Sequence, residues 1–254
     1  MRLRRLLPAL LVFTAPLFAG DDELPPDEVA DIVVRYIERG IESLREGNYD
    51  EARLRFKKAL KRDPANQKAW LGTIVCYRDT GAYDKADAAL ATLFEKQPAS
   101  RRGRSLTAEL DLRRGRFAEV RAAMEALLEE PAEDPDLVGL RARVLLAAAL
   151  EARGRRGEAR TVLDPFIPYY KKRYDVWNAA VFNVEKLRMI PEEAWPLSEE
   201  LTLVARALRM YVELSPLDYP FIENAFDVLG WAADLDPGNW EARVEYVRVS
   251  RVER

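Results

Sequence analysis

The sequence contains no histidine and a single cysteine, Cys76, among its 254 residues. Histidine is the commonest metal ligand and general base, so its absence removes many classes of enzyme. A lone cysteine excludes a disulfide framework within the chain. Adjacent carboxylates such as Glu192-Glu193 and Glu199-Glu200 do not face one another on a helix, so they form poor acid and base pairs. We therefore expect no catalytic, cofactor-binding or metal-binding residues.

Neither sign of charge dominates the composition. The chain is 48% hydrophobic and 33% charged, with a formal net charge of -3, which is the balance of a soluble globular protein of one or two domains. Three of the arginines lie within the first five residues, and the remainder of the chain carries -6. This balance argues against nucleic acid as the main partner.

The N-terminus has the features of an export signal. A basic start precedes an apolar run from Leu6 to Phe18, and the small residues Ala19-Gly20 offer a cleavage site. The run is shorter than the roughly 20 residues that span a bilayer. We expect a signal peptide at 1–19, an acidic linker at 20–30, and a periplasmic or secreted protein. An uncleaved leader is the alternative, and it is the only membrane contact that we expect.

A period of 34 residues runs through the first half of the chain. Gly47, Gly81 and Gly115 recur at this interval, each between two amphipathic stretches. A glycine at that point favours a left-handed helix cap, and a later proline stops the second helix. Because such a helix pair cannot bury both apolar faces alone, it must stack on its neighbours. The same spacing relates further columns: Tyr49, Tyr83 and Phe117; Ala52, Ala86 and Val120; Phe56, Leu90 and Met124; Ala59, Leu93 and Leu127.

The pattern resembles the tetratricopeptide repeat family. The residues that carry the resemblance are Gly40, Gly47, Tyr49, Ala52, Phe56, Ala59 and Pro64 in the first unit, and Trp70, Tyr77, Gly81, Tyr83, Ala86 and Pro98 in the second. The resemblance implies an all-α fold, an α-solenoid of antiparallel helix hairpins wound into a superhelix. We expect repeats over 31–167, divided at about 31–66, 67–100, 101–135 and 136–167. In the fourth unit Gly154 lies 39 residues beyond Gly115, and a loop at 131–135 absorbs the extra length.

The remaining segment, 168–254, is predicted to be a degenerate, repeat-like helical region. Prolines divide it into pieces of uneven length, with helices expected near 171–188, 197–213, 220–234 and 239–252. The last of these has the sequence of a first helix without a second, and we expect it to cap the stack.

In the family that the chain resembles, the first helices of successive units line a concave groove that receives a peptide or a helix. The resemblance implies that apolar residues of the first unit and arginines of later units form this groove. An amphipathic or acidic protein segment would suit it. The alternative is that Ile37, Ile41 and Leu44 pack in the core. The candidate groove residues are Val34, Ile37, Ile41, Leu44, Lys68, Leu71, Val75, Arg78, Arg102 and Arg141.

Two further features have plain structural interpretations. Arginines are dense between positions 101 and 160, which could mark a contact surface for anionic partners. However, the whole chain has 31 arginines and 9 lysines, which favours a codon bias and a solvated face as the explanation of the run. Cys76 lies among apolar residues on a predicted helix, where a free cysteine is usually buried.

We therefore expect a non-enzymatic protein-protein interaction scaffold of the bacterial cell envelope, which binds a segment of another protein in its groove. One alternative is a structural or assembly subunit of an envelope complex that uses the aromatic C-terminal half. A remoter alternative is a shortened relative of repeat proteins fused to a metallopeptidase-like domain, without the catalytic part. The oligomeric state is left open.

Overall fold

The computed structural model describes residues 25–131, 136–214 and 220–252, and within these ranges the chain forms helices and no strands. The predicted signal peptide at 1–19 lies outside the described residues, as does most of the predicted loop at 131–135. The helices are α1 (Pro26–Arg45), α2 (Tyr49–Arg62), α3 (Gln67–Asp79), α4 (Tyr83–Lys96), α5 (Arg101–Arg113), α6 (Phe117–Leu128), α7 (Leu137–Ala152), α8 (Arg156–Leu163), α9 (Phe166–Val181), α10 (Val184–Arg188), α11 (Pro191–Leu214), α12 (Pro220–Leu235) and α13 (Trp240–Val252).

The first eight helices form four successive antiparallel hairpins, α1/α2, α3/α4, α5/α6 and α7/α8. Each second helix also packs on the next first helix, and the first helices α1, α3, α5 and α7 contact one another in order. The architecture is therefore the α-solenoid that the period predicted. Helix α1 begins at Pro26, inside the segment expected to be a linker. Proline suits the first turn of a helix, and Asp27 and Glu28 favour the positive end of the helix dipole.

Glycine ends the first helix of each of these hairpins in the left-handed conformation. The caps predicted at Gly47, Gly81 and Gly115 are confirmed, and Gly154 adopts the same conformation, since all four have φ between 74° and 78°. In the first hairpin the amide of Asn48 donates to the Ser43 carbonyl and the amide of Gly47 to the Leu44 carbonyl. This pair of bonds is a Schellman motif, and it recurs at the other three glycines. The same local chemistry therefore sets the turn in all four hairpins.

Phe56 fixes how closely the first two hairpins approach. Its ring is fully buried between the backbones of α1 and α3. A Cβ atom on Gly40 would lie 2.6 Å from Phe56 Cε1, and one on Gly72 would lie 2.4 Å from Phe56 Cζ. Both positions are therefore glycine because the aromatic ring occupies the space that a side chain would need. Ala52, which was expected to allow close packing, is fully buried beside it.

The C-terminal part continues the stack after an interruption. Helix α11 packs against α7 and α8, pairs with α12, and contacts α13. Helices α9 and α10 instead lie against α11 and α12, outside the row of first helices. The helix expected near 171–188 is broken at Phe182-Asn183. The row of first helices is therefore α1, α3, α5, α7, α11 and α13 over the described residues.

The apolar core is divided along the stack. One cluster joins α1, α2 and α3 around Phe56, and a second joins α3, α4 and α5 around Ile74 and Leu93. The third and largest extends from α5 to α13 and includes the buried Trp177. Cys76 is fully buried, as predicted. Each hairpin is thus stabilised mainly by its immediate neighbours.

Candidate functional site

The first helices curve around a central cavity of about 310 Å³. Helices α3, α5, α7, α11 and α13 contribute its walls. One part of the wall is apolar and the other part is formed by arginine and glutamate side chains. The lining residues are Arg78, Glu109, Leu112, Arg113, Arg141, Val144, Leu145, Ala148, Glu151, Arg206, Arg209, Met210, Trp240, Glu241, Val244 and Arg248.

A buried ion network lies at the side of this cavity, and Arg141 on α7 is its centre. The guanidinium of Arg141 lies 3.1 Å from a Glu109 carboxylate oxygen, 2.6 Å from one of Glu199 and 3.8 Å from one of Glu241. Arg78 on α3 forms an ion pair with Glu109 and lies 3.7 Å from Glu241. Both arginines are at most 5% exposed. The network therefore links α3, α5 and α7 with α11 and α13 across the concave surface.

The network holds its carboxylates in the charged form. Burial opposes ionisation of Glu109, but the nearby Arg78 and Arg141 prevail and lower its pKa to about 2. Burial likewise opposes the charge on Glu199, and Arg141 and Arg102 lower its pKa to about 2. In return, despite their burial, the pKa values of Arg78 and Arg141 are raised by these carboxylates. The charges are mutually compensating, as buried ion pairs must be.

A second cluster of charges continues along α11 and α13. The carboxylate of Glu245 is fully buried and lies 3.2 Å from Arg206 and 3.4 Å from Arg248, and it also pairs with Arg209. The pKa of Glu245 is lowered, because the attraction of these arginines outweighs the effect of burial. Arg206 also lies 3.5 Å from Glu241, so the two clusters form one continuous network.

The two ends of the solenoid meet at Arg45, the last residue of α1. Its guanidinium carbon lies 4.1 Å from the centroid of the Trp195 ring on α11. Arg45 also forms an ion pair with Asp236, which is buried at the turn before α13. Burial lowers the pKa of Arg45 to about 10, although Glu199 opposes this shift. The first hairpin therefore touches the last helices directly.

The structure brings some of the candidate groove residues together and separates others. Arg78 and Arg141 line the cavity, whereas Arg102 does not line it and lies 3.6 Å from Glu199 in the same ion network. On α1, Ile37 is buried in the core around Phe56, which is the alternative that the sequence left open. Of the other candidates, Val34 and Lys68 are exposed, and Ile41, Leu44, Leu71 and Val75 are half-buried; none of these six lines the central cavity.

Sequence reasoning did not identify the acidic side chains that occupy the concave surface. Glu199 was considered only as the neighbour of Glu200, yet the two contact different partners: Glu200 pairs with Arg173. Glu241 and Glu245 are four residues apart on α13, a spacing that places them on neighbouring turns of one helix. That spacing was the available signal, and it could not show which arginines would face them.

The arginines between 101 and 160 are largely used in pairs between helices. Arg101 lies 2.8 Å from an oxygen of Asp136, and Arg114 lies 2.7 Å from one of Asp87. Arg104 donates to Glu130 at 2.7 Å. Such pairs at a partly exposed surface contribute little each. These ion pairs explain much of the high density of arginines between 101 and 160, and no external anion is needed to account for it.

Two further findings concern the described part of the chain. Across 25–131, 136–214 and 220–252, no three or more cysteine, aspartate or glutamate side chains are grouped so as to hold a metal ion. Within these same ranges, no helix combines the length and the apolar character needed to cross a membrane.

Repeated helix hairpins around a concave surface define the class of α-solenoid proteins. Residues 43–110 match the family model of the tetratricopeptide repeat. No curated protein matches the sequence. Residues 43–110 therefore resemble tetratricopeptide repeats, and the described part of the chain has the fold of an α-solenoid of stacked helix hairpins.

Solved structures with a similar fold share little sequence with this chain. A tetratricopeptide repeat protein of Thermus thermophilus is 16% identical with a TM-score of 0.50, covering 86% of this chain and 99% of its own. Pseudomonas aeruginosa pilF is 17% identical with a TM-score of 0.49, covering 89% and 100%. A tetratricopeptide repeat protein of Parabacteroides merdae is 15% identical with a TM-score of 0.47, covering 90% and 87%. At these identities the likeness concerns the fold alone.

Proposed function

We propose that the protein is a non-enzymatic scaffold of the bacterial cell envelope that binds a peptide or helix of another protein against its concave surface. The location rests on the basic and apolar N-terminal residues, which are typical of an export signal. The binding mode is inferred from the central cavity, which is lined by five helices of the row of first helices.

One observation carries the binding mode: the concave surface already holds carboxylates that are presented by helices. Glu199 on α11 and Glu241 on α13 reach Arg141 on α7 at 2.6 and 3.8 Å. Arginine is well suited to carboxylate recognition because its guanidinium is planar and always charged. Beside these charges, Leu112, Val144 and Met210 provide an apolar wall. This combination fits helix-in-groove recognition of an amphipathic segment.

Two valines on α13 provide a matched test. Val244 lines the cavity and is 39% exposed, whereas Val247 is 51% exposed and does not line it. A photo-crosslinking amino acid would replace each valine in turn, in the full chain expressed in its native envelope. We expect Val244 to crosslink a partner protein that mass spectrometry can identify, and Val247 to crosslink it weakly or not at all.

Glutamate substitutions at the same positions give the functional comparison. Val244→Glu should abolish capture of the crosslinked partner, and Val247→Glu should leave it intact, with circular dichroism showing that both variants fold. Equal capture by Val244→Glu and the unchanged protein would refute binding inside the cavity.

The second candidate function is a structural subunit that packs permanently into a larger envelope complex. It is favoured by apolar side chains exposed on the C-terminal half, such as Phe182 at 83% and Met189 at 82%. Large exposed apolar residues mark interaction surfaces when they lie close together. If Val247→Glu loses the partner and Val244→Glu retains it, the outer surface is the docking site and this function replaces the first.

A further inference from the structure

Polar contacts hold the two ends of the solenoid together. In the described residues, the apolar cluster that contains α1 ends at α3, and the cluster that contains α11 and α13 begins at α5. The first hairpin and the last helices therefore share no buried apolar core. The first hairpin meets the last helices through Arg45, which contacts Trp195 and Asp236. In the second hairpin, Arg78 on α3 faces Glu241.

The contact around Arg45 is close. A Cβ atom built on Gly238 would lie 3.0 Å from Arg45 Cβ, so the turn before α13 packs directly on the end of α1. Asp236 is only 4% exposed and its other carboxylate oxygen accepts a hydrogen bond from the Gly238 amide at 3.0 Å. The turn thus presents its carboxylate to Arg45 in a fixed orientation.

Contacts of this kind open more easily than the interfaces between neighbouring hairpins. The Arg45 side chain is 21% exposed and that of Asp236 is 4% exposed. Such an ion pair contributes little net stability, because the cost of removing its charges from water offsets their attraction, and opening returns both charges to water and salt. Neighbouring hairpins are held by apolar clusters, which salt does not weaken. A small rotation at each hairpin interface is enough to separate the two ends of a solenoid.

We propose that the contact of Arg45 with Trp195 and Asp236, which joins the two ends of the solenoid outside the lining of the central cavity, is a gate that keeps this cavity closed. The partner admitted is an acidic segment whose carboxylate replaces Glu241 beside Arg78 and Arg141. This inference rests on the proposed binding function and adds the regulation and the partner chemistry of the same surface. The charges support the partner class. When Glu241 moves away, one negative charge is missing from the network. Its six arginines then face five carboxylates; the arginines are Arg78, Arg102, Arg141, Arg206, Arg209 and Arg248, and the carboxylates are Asp79, Glu109, Glu199, Glu213 and Glu245.

The first experiment measures the gate without any partner. Spin labels would be attached to cysteines introduced at Lys61 on α2 and Arg251 on α13, both exposed. The native Cys76 is buried and its thiol pKa is raised by burial to about 12, so it will not react with the label. We expect Arg45→Met to add a population with longer interspin distances. Arg39→Met, at an exposed arginine on the same helix, should not.

The second experiment locks the gate with a disulfide. The 3.0 Å Cβ separation of positions 45 and 238 is slightly below the range for disulfides, about 3.5 to 4.5 Å, so a shift of a few tenths of an ångström suffices. In the Arg45→Cys/Gly238→Cys variant, the oxidised protein is closed and the reduced protein has lost the Arg45 contacts. The same molecule therefore serves as its own control.

The probe for the lock is a labelled peptide with the sequence of residues 236–252, since α13 presents the carboxylates of Glu241 and Glu245 to this surface. We expect the reduced variant to bind it at least tenfold more tightly than the oxidised variant. A peptide with Glu241→Gln should lose that gain. Equal affinity in the two redox states would overturn the gate. Equal affinity for the two peptides would overturn the acidic partner.

Identical distance distributions for Arg45→Met and the unchanged protein would overturn the gate even if Val244 crosslinks a partner. Failure of both valine positions to crosslink a partner would instead defeat the binding function and leave the distance result standing.

Discussion

Replacing Arg141 with methionine tests whether the ion network is the structural centre of the concave surface. The guanidinium of Arg141 is 5% exposed and is shared by three carboxylates, on Glu109, Glu199 and Glu241. Methionine has a similar length and flexibility, so the substitution removes the charge and leaves little empty space. The effect on stability should therefore report electrostatics rather than packing.

The expected magnitude follows from the carboxylates left behind. Removing one partner of a buried ion pair costs about 3–5 kcal/mol, because the remaining charge has lost its compensation. Glu109 retains Arg78, which limits the cost at that site. We expect Arg141→Met to lower the free energy of unfolding by about 3 kcal/mol, the lower end of that range. This is a large part of the roughly 5–15 kcal/mol that stabilises a typical protein.

Urea denaturation followed by circular dichroism measures the effect, provided that the slope of the transition is unchanged. Arg143→Met on the same helix is the control. Arg143 is half-buried outside the central cavity, and its loss should change stability by no more than about 0.5 kcal/mol. The double variant Arg141→Met/Glu109→Gln should be more stable than the sum of the single effects by about 1–3 kcal/mol. A loss below about 1 kcal/mol for Arg141→Met, or strict additivity, would refute the account of the network.

Three other predictions concern the turns, the hairpin packing and the dependence on pH. Gly72→Ala should destabilise by about 1–3 kcal/mol, seen in urea denaturation, because its Cβ would lie 2.4 Å from Phe56 Cζ. Gly81→Val should lower the free energy of unfolding by about 1–2 kcal/mol in the same assay, because φ is +74° at this position. Gly157 lies in open space within α8, so the control Gly157→Ala should be neutral or slightly stabilising. Its neighbouring arginines lower the pKa of Glu109 from an ordinary value of 4.5 to about 2 in the folded protein. Its contribution to the free energy of unfolding, on the order of 3 kcal/mol, is therefore present above pH 4.5 and lost as the pH falls towards 2. Urea midpoints at pH 7, 4 and 3 measure this loss, and Glu109→Gln should flatten the profile between pH 4 and 3; an unchanged slope would contradict it.

The first part of the fold could be predicted because its determinants are local. A glycine with positive φ is required at the end of each first helix, and the spacing of Gly47, Gly81 and Gly115 shows this directly. Even the fourth hairpin, displaced by five residues, keeps the same cap at Gly154. Its family signature is weaker, yet the turn chemistry is unchanged.

The C-terminal part could be predicted less well because the α11/α12 hairpin is longer and two helices, α9 and α10, lie outside the row of first helices. Helix α11 extends over Pro191–Leu214 and runs through Pro196, which the sequence suggested would stand at the boundary before the helix. Pro196 lies in the second turn of the helix, where only one backbone hydrogen bond is lost. Whether α9 or α11 follows α7 in the row depends on apolar contacts from distant segments. Periodicity does not encode that choice.

The candidate groove shows most clearly what could not be predicted from the sequence. The sequence could place Arg78, Arg102 and Arg141 on first helices, since their positions follow from the repeat. It could not place Glu241 beside Arg78, because the two are 163 positions apart and meet only if the rotations between successive hairpins add up to a closed turn. Small differences in each rotation decide whether the groove is open, with arginines that have no carboxylate partner, or closed, with arginines whose charges are neutralised by carboxylates. The partner chemistry of such a scaffold is therefore a property of the curvature as much as of the residues that line it.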